Sequence, residues 1–500
     1  MKRLVHSSSV AAIDEKAQSI VHIPAICLME SAGLQTFLKW KPELSKESRL
    51  VFLCGGGNNG GDALVVARYA YNDGYTNIQL VYSGSHLSPS CEIQRSIMHQ
   101  YPISVLHWDT ASEQERDSLF QEACWIVDGL VGTGLRGELK ASLADLVERA
   151  NASSAKCLAI DIPSAVGDEV PVSSVHIVAD MTVTMGLEKS AMYHPVSRAS
   201  CGRIVLVNPS FPPFLLDECK AEAMLVQRGR ASLDRLAVNA YKNSRGHVAI
   251  LGGSKHYSGA VRLSARAAFA ARAGLVSLFC DPEVYPIAAA DSVSTMVQIY
   301  EGQDLGRYDA LLAGPGWGEG REKLVKEVLA FGRPTVLDAD GIRAFASLLK
   351  GGSVPEHGEL LLSPHIGELR CLVASCFPGE ADRLAKSDTP SSFFTILEKL
   401  AKYIEATIVV KSHLLYVVSP DAKPVVIQGN NPSLGVAGSG DVLSGILVAL
   451  LARSHNCHQV AVEGSLLHQR AGSLASSETG YYDSEALIGF VGRASQEAEQ

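Results

Sequence analysis

Short apolar runs alternate with helix-patterned segments along the first 210 residues of the chain. Segments such as DALVVARYAYNDG and SLADLVERANAS, which separate the apolar runs, carry their apolar residues at helical spacing. Alternation of strands and helices builds a parallel sheet that helices cover on both faces. The predicted strands are 49–55, 78–84, 103–108, 125–132, 156–163, 179–186 and 202–209. We therefore predict a three-layer α/β domain at the N-terminus.

A second alternation begins near residue 245. It is preceded by a segment, 208–224, with three prolines in six residues and no clean period, which indicates a boundary. A β-ribbon with a turn at Pro420–Asp421 is predicted for 406–429. The other apolar runs are 246–254, 275–282, 308–316, 333–341 and 358–365, with an Ala-rich helix over 258–274. The chain is thus predicted to form two α/β domains, 1–215 and 225–500.

Composition and charge narrow the class of protein. With 47% apolar and 19% charged residues, the 500-residue chain is typical of a soluble globular protein. A formal net charge of −9 argues against nucleic-acid or anionic-membrane partners. The longest uncharged apolar run, 443–452, is shorter than the ~20 residues of a membrane span. Asp14 and Glu15 interrupt any signal-peptide core, and no CxxC motif occurs, so we expect a cytoplasmic protein with reduced thiols.

The stretch GGGNNGGD at 55–62 lies between a predicted strand and a predicted helix. This is the position of a phosphate-binding or dinucleotide-binding turn in a Rossmann-like domain. The alternative is a tight structural turn in which Asp62 starts and caps the helix. The adjacent Asn58 and Asn59 supply amide oxygens, which suit a monovalent cation or a sugar hydroxyl. The stretch is therefore a candidate ligand site.

Two further polar segments follow strands of the same predicted sheet. VDGLVGTGLRGEL at 127–139 places Asp128 at a strand end, and AIDIPSAVG at 159–167 places Asp161 and Ser164 at another. A strand-end Asp often only caps a helix or forms a turn. In an open parallel sheet, however, ligands bind outside the carboxyl ends of the strands. We therefore expect the three loops to converge on one crevice.

The stretch GSGD at 438–441 opens an apolar helix in the second domain. Unpaired amides at a helix N-terminus favour phosphate oxygens. Asp441 beside such a site would accept a proton from an attacking hydroxyl, although an N-terminal Asp is also a routine helix stabiliser. Further strand-end segments are LGGSKHYSGAVRL, LAGPGWG, LDADGIRA and LSPHIGEL, and the helix is predicted to bury Leu443, Ile446, Leu447, Leu450 and Leu451 on one face.

These motifs resemble those of a known family. LMESAG (28–33), NNGGD (58–62), VDGLVGTG (127–134) and DIPS (161–164) are similar to the epimerase half of the NAD(P)H-hydrate repair proteins. The ordered set GGS…YSGA, GPG, LDADG, SPHIGE and GSGD, across 240–495, resembles the ribokinase-like dehydratase half of the same proteins. The resemblance implies epimerisation of C6-hydrated NADH or NADPH, and dehydration of the S form with ADP to give NAD(P)H, AMP and phosphate.

The resemblance also implies site residues. Asn59, Asp128 and Ser164 would hold K⁺, and Mg²⁺ would accompany ADP. Either Asp128 or Asp161 could transfer the proton in the epimerase, and we favour Asp161; Asp441 would be the base of the dehydratase. The hydrated dinucleotide would contact Asn58, Asn59, Gly60, Gly61, Asp62, Gly132, Thr133, Gly134, Leu135, Arg136, Gly137, Glu138 and Asp161 in one half, and Ala260, Gly316, His365 and Asp441 in the other. The spent nucleotide would contact Lys411, Ser412, His413, Leu414, Leu415 and Gly440.

Some residues depart from the family pattern, and two other functions remain open. Ala63 and Ala165 replace glycines and are expected to add bulk at the pocket rim, while Val436 and Ala437 replace Thr and Gly in the nucleotide loop. A ribokinase-like small-molecule kinase would leave a stable phosphate ester, whereas the dehydratase releases phosphate. A non-catalytic dinucleotide-binding module would not require buried carboxylates. We expect small-molecule substrates, no nucleic-acid or membrane partner, and a homo-oligomer.

Overall fold

The computed structural model describes residues 1–227, 229–291, 293–386, 388–454 and 456–499. The chain divides into two compact units. The N-terminal unit comprises Arg3–Ala223 and Lys386–Phe394, and the C-terminal unit comprises Met1–Lys2, Met224–Ala385 and Thr395–Gln500. Among the described residues, no helix combines the length and the hydropathy that crossing a bilayer requires.

Seven parallel strands form the sheet of the N-terminal unit, in the order β4-β3-β2-β5-β6-β7-β9. All seven predicted strands are confirmed. The elements are β1 (Lys2–Val5), α1 (Ser7–Ser19), α2 (Ala25–Trp40), β2 (Leu50–Cys54), α3 (Asn58–Asn72), β3 (Ile78–Tyr82), α4 (Pro89–Met98), β4 (Ser104–His107), α5 (Glu113–Ser118), β5 (Trp125–Gly129), α6 (Ala141–Ala152), β6 (Lys156–Ile160), β7 (Met181–Met185), β8 (Glu188–Lys189), β9 (Arg203–Val207) and α7 (Pro213–Glu218).

The apolar runs are continuous because both faces of the sheet are buried. In β2, Leu50 and Phe52 belong to one hydrophobic cluster, and Val51 and Leu53 belong to the cluster on the other face. A parallel sheet with helices on both sides requires this pattern. The strand order changes direction between β2 and β5, which are neighbours in the sheet. Such a switch point opens a crevice at the carboxyl ends of the two strands.

The sheet of the C-terminal unit has the order β13-β12-β11-β14-β15-β16-β17-β18-β19-β10, with a switch point between β11 and β14. Its pairs are parallel except β17–β18 and β18–β19, which confirms the predicted ribbon and its turn at Pro420–Asp421. The elements are β10 (Ala223–Val226), β11 (His247–Leu251), α8 (Ser258–Ala270), β12 (Leu275–Cys280), α9 (Tyr285–Asp291), β13 (Met296–Ile299), β14 (Ala310–Ala313), α10 (Glu322–Ala330), β15 (Thr335–Leu337), α11 (Asp340–Leu349), β16 (Leu360–Leu362), α12 (Ile366–Cys376), α13 (Pro378–Lys386), α14 (Pro390–Tyr403), β17 (Thr407–Val410), β18 (Leu415–Ser419), β19 (Ala422–Ile427), α15 (Ser439–Leu451), α16 (Cys457–Thr479) and α17 (Ser484–Glu497).

Helix α15 is buried on all sides, not on one face as its pattern predicted. Every residue from 442 to 451 is buried. A Cβ placed on Gly445 would lie 2.3 Å from the carbonyl oxygen of Ser264, so the glycine lets α8 and α15 pack closely. The Ser264 hydroxyl donates to the carbonyl oxygen of Asp441 at 3.0 Å. The first turn of α15 is therefore fixed against α8.

Candidate functional sites

The GGGNNGGD stretch turns sharply from β2 into α3. Helix α3 begins at Asn58 with Gly57 as its N-cap, so the alternative in which Asp62 starts and caps the helix is wrong. Because the helix starts at Asn58, Asn58 and Asn59 lie in its first turn and Asp62 lies in its second. A Cβ on Gly60 would lie 1.9 Å from the carbonyl oxygen of Gly55, so only glycine permits this close return of the chain.

Asp128 is a fully buried carboxylate at the end of β5, with no exposed surface. It accepts hydrogen bonds from the amide of Ser164 at 2.7 Å, the hydroxyl of Ser164 at 2.6 Å and the amide of Leu130 at 3.2 Å. Burial raises the pKa of Asp128, and these bonds lower it; the result is a pKa of about 6. Because Ser164 follows β6, the bonds join the loops that follow β5 and β6.

The side chain of Asn59 is buried beside this joint. Its Oδ1 and Nδ2 atoms have no hydrogen-bond partner among the described residues. A Cβ on Gly132 would lie 3.4 Å from the Cβ of Asn59, so the loop after β5 passes next to the asparagine. The loops after β2, β5 and β6 therefore converge as predicted, and an unsatisfied buried amide calls for a polar ligand.

Asp161 follows β6 and is the more accessible of the two strand-end carboxylates, with 19% of its side chain exposed. Its Oδ1 atom accepts from the amide of Met185 at 2.9 Å and from the Thr184 hydroxyl at 3.4 Å. The ammonium group of Lys189 donates to the same oxygen. Sequence reasoning missed Lys189, since LEKS carries no motif and the lysine lies 28 residues from Asp161.

Two more carboxylates lie near Asp161. Burial raises the pKa of Asp62 well above its ordinary value, and the negative charges of Asp161 and Asp14 raise it further. Burial also raises the pKa of Asp14, although its bond from Gln18 at 2.7 Å opposes this. The sequence singled out Asp14 only as a break in a leader, and nothing in its local pattern marks it as part of this crevice.

The remaining predicted residues of the first site surround the same crevice. Asn58 is exposed, and its Oδ1 atom accepts from the Ser88 hydroxyl at 2.7 Å. Gly60 and Gly61 are buried under the turn. The irregular segment after β5 is half-buried at Gly132, Thr133, Leu135 and Gly137, and exposed at Gly134, Arg136 and Glu138. Most of this segment is therefore accessible to a ligand, and Gly132 is the residue that lies next to Asn59.

The two alanines that replace family glycines do not both affect the rim. Ala63 has no exposed surface, and its methyl group lies where a Cβ on Gly129 would be 2.5 Å away. The expected bulk at the rim is therefore wrong for Ala63. Ala165 is buried and adopts φ +67°, a left-handed conformation in which alanine is strained. The replacement of glycine by Ala165 is therefore expected to strain the backbone.

In the C-terminal unit, the GSGD stretch forms the start of α15. Gly438 is the N-cap at φ +87°, and the helix begins at Ser439, as predicted. The Ser439 hydroxyl contacts Nε2 of His468 at 3.0 Å. Burial lowers the pKa of His468 to about 4, so this imidazole is neutral at physiological pH. The first amides of α15 are thus held in place for an anion.

Asp441 is half-buried in the first turn of α15. Burial, followed by the charge of Asp338, raises the pKa of Asp441 to about 7 against the opposing effect of Lys411. The smaller contributions of Asp340 and Glu368 also raise it. A carboxylate with a pKa near neutrality is a stronger proton acceptor than an ordinary aspartate.

Lys411 forms an ion pair with Asp338 and acts electrostatically on Asp441. Its ammonium group lies 2.6 Å from Oδ1 of Asp338, whose residue is 1% exposed, and 3.3 Å from where a Cβ on Gly440 would be. Although burial alone lowers the pKa of Lys411, Asp338, Glu368 and Asp441 together raise it. One charged lysine therefore lies between a buried aspartate and the amides of α15.

The other predicted residues of this site fall into two groups. Gly316, at φ +63°, would place a Cβ 3.2 Å from that of Ala260, so these residues are neighbours at the switch point. The prediction that His365 and Glu368 share a loop is wrong. His365 is the N-cap of α12, and Glu368 lies in the first turn of that helix. The Nδ1 atom of His365 accepts hydrogen bonds from the amides of Gly367 and Glu368.

The stretch 412–415 leads from β17 into β18. Ser412 donates to the carbonyl oxygen of Leu414 at 2.6 Å, and His413 is exposed. The side chains of Leu414 and Leu415 are only 1% and 4% exposed. In this structure, these two leucines therefore offer almost no surface, of side chain or backbone, to a nucleotide.

Comparisons with known proteins show what the two units are similar to. A family model described as NAD(P)H-hydrate dehydratase matches residues 248–491, and one described as YjeF-related protein N-terminus matches 25–191. The bifunctional NAD(P)H-hydrate repair enzyme of Thermanaerovibrio acidaminovorans is 32% identical over 489 residues, covering 93% of this chain and 92% of that protein. The enzyme of the same name from Coxiella burnetii is 28% identical, covering 91% of each. The ADP/ATP-dependent NAD(P)H-hydrate dehydratase of Bacillus subtilis is 21% identical, with a TM-score of 0.47, covering 54% of this chain and 95% of that one.

Proposed function

The chain belongs to the family of bifunctional NAD(P)H-hydrate repair enzymes, and we propose that each unit carries one of the two activities. The N-terminal unit epimerises the R and S forms of C6-hydrated NADH and NADPH. The C-terminal unit dehydrates the S form with ADP and yields NAD(P)H, AMP and phosphate. The pairing is chemically sensible, because spontaneous hydration gives both epimers and a chiral site dehydrates one.

In the epimerase, Asp161 is the group that moves the proton. The C6 carbon of the hydrate carries a hydroxyl beside the ring nitrogen, so it inverts through an iminium or ring-opened form once protons are transferred. Asp128 is fully buried and bonded by three donors, whereas Asp161 is partly exposed and has bonds only at Oδ1 within the described chain. Oδ2 of Asp161 is thus the oxygen that accepts the proton of the C6 hydroxyl.

The residues predicted to hold K⁺ fit that ion. Within the described part of the chain, the buried amide oxygen of Asn59 has no partner, and no positively charged side chain bonds to the buried carboxylate of Asp128. Leaving both in that state is costly, and a hard monovalent cation would relieve it. Asn59, Asp128 and Ser164 would therefore hold K⁺, which supplies positive charge for the anionic dinucleotide.

In the dehydratase, Asp441 takes the proton from the C6 hydroxyl. The hydroxyl oxygen then attacks the terminal phosphorus of ADP, an O–P bond forms, and AMP leaves. The amides at the start of α15 and the ammonium group of Lys411 stabilise charge on that phosphate. The lone pair of the ring nitrogen next expels the phosphate from C6, and loss of a C5 proton restores the dihydronicotinamide.

Mg²⁺ would enter this site with the nucleotide. Among the described residues, no group of three or more His, Cys, Asp or Glu side chains is arranged to hold a metal by itself. Mg²⁺ usually binds through substrate phosphates, waters and one or two carboxylates, and the acids around Asp441 can supply the latter. This ion would neutralise phosphate charge during the transfer.

The observation that carries the proposal is Asp441, with its raised pKa, in the same helical turn as the Gly440 amide, beside which the ammonium group of Lys411 lies. The test is chromatography of mixed NADPH hydrate epimers with the full chain, in the presence of ADP, ATP or neither. Without nucleotide we expect exchange of epimers only, and with ADP we expect both to return to NADPH with free phosphate. Faster recovery with ATP would correct the choice of nucleotide, and a stable phosphate ester would instead indicate the kinase.

Three variants separate the two activities. Asp441→Asn should abolish dehydration and leave epimer exchange intact. Asp161→Asn should abolish epimer exchange and still dehydrate pure S hydrate with ADP. Asp421→Asn, a matched change at the exposed turn between β18 and β19, should alter neither. Full dehydration by Asp441→Asn would show that the base is wrongly assigned. Homo-oligomeric assembly stays a prediction, which light scattering of the purified chain would test.

A further inference from the structure

Lys189 is a wholly buried lysine that no step of the reaction described above uses. Its side chain has no exposed surface. The ammonium group donates to Oδ1 of Asp161, to the Thr184 hydroxyl at 2.9 Å and to the carbonyl oxygen of Met185 at 3.0 Å. An ammonium has three donors, so all are used and its orientation is fixed. A buried charge is retained only where it is paired and hydrogen-bonded.

The backbone also fixes this lysine in place. Lys189 ends the short strand β8, and Val5 of β1 is its partner in the parallel pair. Met185 and Thr184, which share Lys189 as a partner, end β7 next to β6 in the sheet. The lysine therefore meets Asp161 at the carboxyl ends of β6 and β7.

The bonds divide the two oxygens of Asp161 between separate tasks. Oδ1 accepts from Lys189, from the Met185 amide and from the Thr184 hydroxyl, whereas Oδ2 has no bond within the described chain. Asp161 itself adopts φ +67°, which turns its side chain away from the regular course of β6. Three donors on one oxygen fix the orientation of the carboxylate and leave the other oxygen as the proton acceptor.

We propose that Lys189 is the positioning residue of the epimerase site: its ammonium group holds the Asp161 carboxylate in place through Oδ1, with Oδ2 available to the C6 hydroxyl of the substrate. The inference rests on the proposed epimerisation and assigns no contact between Lys189 and the substrate. The opposite charge also compensates for Asp14 on α1 and Asp62 on α3, the other ionisable groups that face Asp161.

The test measures the rate of epimer exchange by the full chain against pH, in K⁺ buffer without nucleotide. In Lys189→Met we expect kcat to fall about 100-fold with KM within about threefold, because the substrate contacts are unchanged. The acid limb of the profile should move up by about one to three pH units, since the carboxylate has lost its opposite charge. Lys189→Arg, which keeps the charge, should restore the wild-type limb. Asp14→Asn should move it down, because it removes a negative neighbour.

The outcomes separate this inference from the proposed function. A wild-type chain without exchange, or Asp161→Asn with full exchange, would overturn the epimerase assignment itself. Exchange by the wild type together with an unshifted profile in Lys189→Met would overturn only the role of Lys189. Dehydration of S hydrate with ADP reports the folding of the C-terminal unit in the same sample. If the N-terminal unit of Lys189→Met is unfolded, Thr184→Val replaces it as the test, because Thr184 contacts both Lys189 and Asp161. A smaller upward shift of the acid limb of its pH–rate profile would support the proposal. An acid limb at the wild-type pH would refute it.

Discussion

The dehydratase rate should rise about tenfold between pH 6 and pH 8. Asp441 must be ionised to accept the proton of the C6 hydroxyl, and burial, followed by the charge of Asp338, raises the pKa of Asp441 to about 7. A group with that pKa is roughly one-tenth ionised at pH 6 and roughly nine-tenths ionised at pH 8. An ordinary aspartate would be fully ionised over this range and would give a flat profile. The slope therefore reports the environment of Asp441 directly.

Asp338→Asn should move this profile to lower pH. The substitution removes a negative charge that raises the pKa of Asp441, and it releases Lys411 from its 2.6 Å ion pair, so more of the lysine's positive charge acts on Asp441. Both changes lower the pKa of Asp441, by on the order of one unit together. Asp421→Asn, far from any group that shifts Asp441, is the matched control and should keep the wild-type midpoint.

The assay follows the absorbance of reduced nicotinamide with purified S hydrate, ADP and Mg²⁺, at constant ionic strength. Each pH requires a blank without enzyme, because NADPH itself hydrates faster in acid. Both substrates are kept well below their KM values, so that the profile is that of the free enzyme, to which the pKa of about 7 applies. A flat rate from pH 6 to pH 8, or an upward shift in Asp338→Asn, would refute the assignment of Asp441 as a base with a raised pKa.

Three further predictions concern stability and cation binding. Asp441→Asn should unfold at a higher temperature than the wild type at pH 8, because the ionised carboxylate of Asp441 destabilises the folded state. The difference in melting temperature should fade as the pH falls from about 7 towards 3.8. A difference at pH 4 equal to that at pH 8 would contradict this. Ala165→Gly should raise the free energy of unfolding by up to about 1 kcal/mol by relieving a left-handed alanine, whereas Ala150→Gly within α6 should lower it by about 1 kcal/mol in urea titrations. Replacing K⁺ by choline should lower the melting temperature of the wild type but not of Asn59→Leu, in which the amide ligand is absent; equal sensitivity would exclude Asn59 as a ligand.

The fold was predictable because its signals are local. Strands such as β2 have apolar residues on both faces, and glycine-rich turns at their ends mark where helices begin. The convergence of Asp128, Ser164 and Asn59 follows from a rule of parallel sheets, so the sequence was sufficient for it. The first residue of α3 was harder to predict, since Asp62 is a good cap by type and the glycines before it give no helical pattern.

What sequence reasoning missed is determined by tertiary contacts. Lys189 becomes buried because β8 pairs with β1, two segments more than 180 residues apart, and nothing in LEKS signals a buried charge. Asp14 approaches Asp161 only after α1 packs, so its chemistry is invisible in its own helix. The one-sided burial predicted for α15 failed for the same reason, because α8 and α16 cover the faces that the pattern left open.

A lysine lies near the proposed base in each unit, wholly buried at Lys189 and partly buried at Lys411, but the two arrangements differ in a way that fits the two reactions. Lys189 bonds directly to Asp161, so the positive charge stabilises the very carboxylate that reacts. Lys411 bonds to Asp338 instead, and the negative charges around Asp441 keep the pKa of that group near 7. Inversion of a hemiaminal requires a group that takes a proton and returns it with little driving force. Attack on a phosphate requires a more basic carboxylate, because the proton must leave a hydroxyl as the O–P bond forms. The carboxylate with a pKa near 7 therefore lies where a nucleophile must be generated, and the carboxylate that a lysine holds directly lies where the reaction is reversible.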